Sequence, residues 1–313
     1  MAALGQSIPG PPAPAVRIAS LLPSATEMVA AVGLADRLVG RTHECDWPPE
    51  VAGVPPMTAD RLDRSAMNSA EIDRAVGEAM AEGGGLYRLD AEALAAARPD
   101  LIITQALCGV CAVERDEVEE AARGIASRPA VLSLEPETLE GVLDCMLLVG
   151  EAAGAAGPAA RAVAALRGRL DRARALTEGR EPVRAVCLEW LDPPYLAGHW
   201  VPEQVELAGG HDPLGRPGRP SVAAAPRIVI EADPDALLLM PCGWTASETL
   251  AALARDGFHE RYGGMRAVRE GRVTALDGGA HFSRPGPRLV DGVEALVPVL
   301  HPEAVAAPAA ARG

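Results

Sequence analysis

The stretch Gly157-Pro158-Ala159 through Leu176 constrains this chain more than any other. Pro158 suits a first helical turn, where a missing N–H costs nothing. Val163, Leu166, Leu170 and Ala173 then recur at steps of three and four, forming one apolar face. Arg161, Arg167, Arg169, Arg172 and Arg174 occupy much of the rest. Gly179 stops the helix and Pro182 follows it. About twenty residues at 1.5 Å each give a rod of roughly 30 Å, the width of a small domain. The segments on either side of this rod resemble each other, so it reads as a spacer between two similar lobes.

The first lobe opens with Arg17-Ile18-Ala19-Ser20-Leu21-Leu22, a short apolar run that predicts a buried strand. Pro23 breaks it, and Ser24-Ala25-Thr26-Glu27 has the S-x-x-E spacing of a capping box for a helix over 25–32. Strands are expected at 38–40, 101–104 and 131–134, and helices at 69–81, 90–98, 114–125 and 138–149. After the spacer the grammar restarts. Val183 to Glu189 is a strand, Trp190 to Trp200 its loop, and Pro202 to Ala208 a helix ended by Gly209-Gly210. Asp233-Pro234-Asp235-Ala236-Leu237-Leu238 echoes Arg98-Pro99-Asp100-Leu101-Ile102-Ile103. Thr249 to Arg255 is a helix, Arg272 to Leu276 a strand, His281 to Arg288 a loop and Leu289 to Leu300 the last helix. The expected division is a tail over 1–16, an α/β lobe over 17–154, the linking helix over 155–179, a second α/β lobe over 180–302 and a frayed tail over 303–313. Alternating strands and helices imply parallel sheets covered on both faces, with a cleft between the lobes.

At 313 residues the chain is long enough for two cores. A net charge of −14 argues against a nucleic-acid or anionic-membrane partner. No apolar run approaches the roughly 20 residues of a membrane span. Met1 to Val16 has neither a basic n-region nor a long apolar segment, and no lipoprotein cysteine stands near the start. The location expected from this is cytoplasmic, with thiols rather than disulfides, or periplasmic if the true start lies upstream.

Ligands of open α/β sheets sit outside the carboxyl ends of the strands. That rule selects Pro23-Ser24, Arg41 to Trp47, Gln105 to Cys111, Glu189 to Trp200, Pro241 to Trp244 and His281 to Arg288. Five of six cysteines, all four tryptophans and three of six histidines fall in or beside these loops. Cys145 is the exception, on an apolar helix face. Loop tryptophans offer flat apolar surface with one donor N–H, which suits a large planar ligand; equally, they plug a gap between lobes. His43-x-Cys45 and Cys108-x-x-Cys111, with Cys242 across the cleft, have the chemistry of a site for zinc or iron. The plain alternative is a set of small buried thiols. Cys108-Gly109-Val110-Cys111 after a strand is also where a redox dithiol would sit. Glu189, Asp192 and Glu203 are ligand contacts, acid/base groups or plain loop carboxylates. No nucleophile–base pair, G-x-S-x-G or phosphate loop is visible, so the chain is not read as an enzyme. Ser283-Arg284-Pro285-Gly286-Pro287-Arg288 is a turn that aims Arg284 at an anionic ligand group or simply exposes it to solvent.

Arg17-Ile18-Ala19-Ser20-Leu21-Leu22-Pro23-Ser24-Ala25-Thr26-Glu27, Arg98-Pro99-Asp100-Leu101-Ile102-Ile103-Thr104-Gln105, the spacer and Phe282-Ser283-Arg284-Pro285-Gly286-Pro287-Arg288 together resemble the cobalamin and iron-siderophore binding proteins of ABC importers. The likeness runs from about Arg17 to Pro302 and is greatest for the cobalamin-binding branch. It implies two α/β lobes on one long backbone helix, little hinge motion, and a corrinoid or metal chelate held between the lobes. It also implies an ABC permease as partner if the protein is exported. The expected function is therefore non-enzymatic binding of cobalamin or a related chelate. The alternative is a cytoplasmic zinc or iron protein, or a metalloenzyme, on the same fold. The expected ligand contacts are Pro23, Ser24, His43, Trp47, Gln105, Glu189, His199, Trp200, Trp244, Phe282 and Arg284. His199 or His43 would approach a bound metal axially. The expected metal ligands are His43, Cys45, Cys108, Cys111 and Cys242.

Overall fold

The structure, a computed structural model, describes residues 16–64, 66–81, 85–105, 113 and 115–305. The first lobe contains β1 (Ile18–Ser20), α1 (Pro23–Ala31), β2 (Leu38–Arg41), β3 (Thr58–Asp60), α2 (Ser69–Ala81), β4 (Tyr87–Leu89), α3 (Ala91–Ala97), β5 (Leu101–Thr104), α4 (Arg115–Gly124), β6 (Ala130–Ser133) and α5 (Leu139–Ala152). Its sheet is parallel, in the order β2-β1-β5-β6. The central strands β1 and β5 are buried at every position. Helices cover both faces, which is why these strands read as unbroken apolar runs instead of alternating. β3 and β4 form a small antiparallel ribbon beside the sheet.

The spacer is α6 (Ala156–Thr177), and its buried side chains are Ala159, Val163, Leu166, Leu170, Ala173 and Thr177. That is the apolar face the periodicity picks out. The second lobe follows with β7 (Val183–Leu191), β8 (Pro194–Leu196), β9 (Gly198–His199), α7 (Val201–Leu207), β10 (Gly210–His211), β11 (Arg216–Pro217), β12 (Val222–Ala223), α8 (Pro226–Ala232) and β13 (Ala236–Leu239). It ends with α9 (Ala246–Arg255), α10 (Phe258–Tyr262), α11 (Arg266–Arg269), β14 (Val273–Ala275), α12 (Gly278–His281), α13 (Leu289–Leu300) and α14 (Pro302–Val305). The main sheet runs β12-β8-β7-β13-β14. β7, β13 and β14 are parallel, as in the first lobe, while β8 and β12 add an antiparallel edge.

Three local expectations change. Ser24 and Glu27 do not make a capping box: α1 begins at Pro23 with Leu22 at the N-cap, so both residues lie inside the helix. Proline is pre-set for a first helical position and moves the start upstream. The stretch from Trp190 to Trp200 is not one loop. β7 runs on through Leu191, turns at Asp192-Pro193 and returns as β8. Aromatic and aliphatic residues on both sides of that turn favour pleated pairing. Finally, α12 occupies the start of the expected loop at 281–288, its N-cap Asp277 accepting from the Ala280 amide.

One hydrophobic core passes through both lobes. It joins Ile18, Met28 and Val149 of the first to Val163 and Leu170 of α6 and to Val201, Val293 and Leu296 of the second. Charged contacts fasten the rod on both sides: Arg167 donates to Glu140 on α5, and Arg169 to Asp291 and Glu294 on α13. Helices α5 and α6 cross at Gly150, where an added Cβ would stand 2.3 Å from the Cβ of Ala159 and 3.2 Å from the Ala155 carbonyl oxygen. Gly150→Ala should therefore overpack this crossing and cost about 1–3 kcal/mol, read as a lowered urea midpoint.

Candidate functional site

The sheets meet edge to edge through the loops at their carboxyl ends, and side chains at either end fix the alignment. At one end, Arg284, which follows β14 and α12, donates to Asp46 after β2 and to the Glu44 carbonyl oxygen. At the other, Glu203 of α7 accepts the amide of Leu139, after β6, at 2.7 Å. β2 thus faces β14 and β6 faces the β8–β9 edge. Between these ends lie Pro23-Ser24 and Gln105 of the first lobe, and Trp190 and Pro241 to Trp244 of the second.

The β2–β14 end is a buried charge cluster. Arg288 donates to Glu27 Oε1 at 2.6 Å, and Arg284 lies 3.7 Å from the same oxygen. The Glu27 side chain is 1% exposed. Burial pushes its carboxyl above the ordinary range, although Arg288 and Arg284 oppose that shift. Gly286 makes the close approach possible, since a Cβ there would lie 3.1 Å from Glu27 Oε2. Arg288 also stacks over Trp47, 5.4 Å from the ring centroid. Arg284 is therefore held by protein carboxylates; it is not aimed at a ligand anion.

The aromatic residues divide. Trp190 and Trp244 tilt against each other with centroids 5.0 Å apart, both only partly buried. Trp47 is 45% exposed. Trp200 and Phe282, expected to touch the ligand, are core side chains: they are 4% and 2% exposed, and the Trp200 indole donates to the Phe282 carbonyl at 2.6 Å. An indole with its N–H satisfied inside the core presents no face to the cleft. His199, in a left-handed backbone conformation, stacks on Trp200 at 5.3 Å. Its half-buried setting lowers its pKa, so the imidazole is neutral at pH 7, with Glu137 opposing weakly.

The expected metal set does not assemble among the described residues; Cys108 and Cys111 lie outside them. Cys45 is buried, within 3.0 Å of Thr26 Oγ1, and burial pushes its thiol up to about 11. A thiol held protonated is a poor metal ligand. Cys242 is exposed beyond β13, its amide donating to the Glu189 carbonyl. His43 instead gathers with carboxylates. Its Nδ1 lies 2.7 Å from Thr58 Oγ1, and its Nε2 is 3.4 Å from Asp60 and 3.8 Å from Glu44. Arg64 sits 3.3 Å from both carboxylates. Its guanidinium supplies the positive charge that a metal would bring.

Glu189 is a support for the hairpin and is not open to the cleft. Its carboxylate accepts the Gly198 amide at 2.9 Å, and burial raises its pKa to about 7. Gln105 and Thr104, at the carboxyl end of β5, are buried and leave Oε1 and Oγ1 without a hydrogen bond. A hollow of about 640 Å³ lined by Arg180, Val183, Arg272 and His301 lies elsewhere, at the amino ends of β7 and β14. Ligands of such sheets bind at the opposite end. Sequence reasoning missed Glu27, Asp46, Arg288, Asp73, Tyr195 and Asp256, which carry the contacts between lobes. Only the spacing of Arg284 and Arg288 in one rigid turn signalled any of them.

A family profile described as periplasmic binding protein matches residues 18–280. An ABC transporter substrate-binding lipoprotein of Bacillus subtilis, YvrC, is 24% identical over 299 residues, covering 92% of this chain and 80% of the relative. The periplasmic vitamin B12 binding protein BtuF of Vibrio cholerae superposes with a TM-score of 0.66 at 21% identity, over 92% of this chain and 97% of that one. The periplasmic heme-binding protein RhuT of Roseiflexus sp. RS-1 gives 0.68 at 22%, over 93% and 99%. These relatives overturn the cytoplasmic expectation, because they are periplasmic or lipid-anchored proteins. No described helix is long and apolar enough to cross a membrane.

Two outcomes follow from the charge geometry. Arg288→Met, which strands a buried carboxylate, should cost about 3–5 kcal/mol, whereas Glu27→Gln with Arg288→Met should cost much less, both read by urea unfolding. Glu189 has a folded pKa of about 7 against 4.5 unfolded. The folded state therefore holds the extra proton, and the associated stability is full below pH 4.5 and lost as pH rises through 7. Glu189→Gln should flatten this slope, removing a pH-dependent contribution on the order of 2–3 kcal/mol between pH 4.5 and 7.5.

Proposed function

The chain belongs to the periplasmic binding protein family, whose members bind substrates without chemistry, and from that premise we propose that it holds a corrinoid of the cobalamin type between its lobes. The observation that carries this reading is the pairing of the cationic groups at the rim. Arg64, Arg261, Arg284 and Arg288 each have a carboxylate partner. A dicarboxylate macrocycle such as heme would need guanidinium groups taken from those pairs, and the overall charge of −14 opposes it further. An uncharged, amide-bearing ring needs flat apolar surface instead. Trp190 and Trp244 are the apolar surface. BtuF is a vitamin B12 binding protein and RhuT a heme-binding protein on the same fold, so the charge pairing, not the fold, is what favours the corrinoid.

Within this reading Pro23, Ser24, Gln105 and Trp244 border the ligand, Trp47 closes the β2 end, and the neutral imidazole of His199 is the axial candidate for cobalt. The protein would deliver its ligand to an ABC permease, since YvrC is a substrate-binding lipoprotein of an ABC transporter.

Titration with cyanocobalamin and, separately, hemin tests the assignment. Cyanocobalamin should bind one to one with a Kd of about 1 μM or tighter, shifting its visible bands and quenching tryptophan emission, and hemin should bind at least about tenfold more weakly. Trp244→Ala should weaken cyanocobalamin binding by about tenfold, roughly 1.4 kcal/mol. No spectral change with cyanocobalamin at about 100 μM would sink the assignment.

A further inference from the structure

The two sides of the cleft are closed by contacts of different kinds. At the β2–β14 end, Arg284 and Arg288 enclose the buried Glu27 carboxylate, with the exposed Asp46 as an outer partner. Separating it would leave a charge stranded in low dielectric, so this end stays shut. Over β7 and β8, α2 joins the lobes through polar groups. Asp256, at the end of α9, accepts the Ser69 amide at 3.1 Å and its hydroxyl at 2.6 Å. The Trp190 indole donates to the Ser69 carbonyl at 3.0 Å, and the Tyr195 hydroxyl to Asp73 at 2.9 Å.

We propose that α2 is a strap across the cleft, latched to the second lobe by Asp256, Trp190 and Tyr195, and that ligand passes where the strap lifts.

Three features support it. First, α2 is anchored to its own lobe by its later turns: Val76 and Ala79 pack on the satellite core that includes Leu86 and Val118. Its hydrogen bonds to the second lobe come from Ser69 and Asp73, in its first turns. Second, the helix caps itself. Asn68 and Glu71 exchange backbone-to-side-chain hydrogen bonds at 2.9 Å in both directions. Releasing Asp256 removes one extra acceptor from the helix start and leaves α2 folded. Third, every group in the latch is one that water satisfies equally well once exposed. Asp256, whose side chain is 4% exposed when latched, is a carboxylate that Arg255 and Ser69 hold below its ordinary pKa against burial. Opening hydrates it without stranding a charge. The strap is therefore the weak edge and the Glu27 cluster the fixed one, so the lobes part on one side only. Trp190 links the latch to the ligand surface, since its ring packs on Trp244 while its N–H holds Ser69.

The proposal takes from the preceding section only that a ligand occupies the cleft, and its primary test needs no ligand. Hydrogen exchange by mass spectrometry compares the full chain with Asp256→Ala/Tyr195→Phe. Peptides covering 69–76 and 190–196 should exchange together at least about tenfold faster, with those covering 18–32 and 284–293 unchanged. Unchanged exchange at 190–196, or equal acceleration at 284–293, would overturn the one-sided strap. With cyanocobalamin as probe, the double variant should load at least about fivefold faster than the parent. Loading at the parent rate would also overturn it. If the parent does not bind cyanocobalamin at all, the ligand assignment fails and the exchange result still decides the strap.

Discussion

A single core continuous through α6 is the constraint on which the other features depend. Val163, Leu166 and Leu170 face a cluster that includes Val149 of the first lobe and Val293 of the second. The spacer is therefore not a tether between independent bodies but an interior wall of both. A hinge through this wall would expose apolar surface on both sides at once, at about 25 cal/mol per Å². Arg167 and Arg169 add ionic contacts from the same helix to either lobe. Those pairs are partly exposed and contribute little on their own, so packing and not charge holds the rod.

Fixing the lobes at their base leaves the carboxyl edges of two sheets facing each other across a narrow gap. What fills that gap is mostly polar. At the β2–β14 end, burial of the Glu27 carboxylate requires Arg288 as its partner. Where α2 crosses to β7 and β8, Ser69, Asp73, Tyr195 and Asp256 meet through hydrogen bonds that water can replace. The same interface thus contains one contact that is hard to break and one that is easy. The pairing of the rim arginines has a second effect: it leaves Trp190 and Trp244 as the partly open surface between the lobes.

Much of the fold was legible in the chain itself. The helix over 69–81, the strand over 101–104 and the last helix over 289–300 fall where periodicity puts them. Apolar spacing reports which face is buried whatever covers it. The site was less legible. Trp200 and Trp244 both follow strands in sequence, yet one is core and the other borders the cleft, because α7 turns Trp200 toward the Phe282 carbonyl. Ser24 and Glu27 have capping spacing, but Pro23 moves the helix start, and Glu27 becomes the partner of an arginine 261 positions away. His43 and Cys45 look like a ligand pair, but as neighbours on a turn they point apart, to Thr58 and Thr26.

The sequence by itself determined the two lobes, the rod between them and the strand ends whose loops meet. Each of these is a local matter of hydrophobic period, caps and breakers, and the rule for the carboxyl ends of parallel strands needs no coordinates. Only the tertiary structure decided which cations are neutralised, which thiol and indole are buried, and which side of the cleft is latched. Those outcomes depend on distances between residues far apart in the chain, and charge pairing and desolvation act over a few ångströms of space, not over positions in sequence.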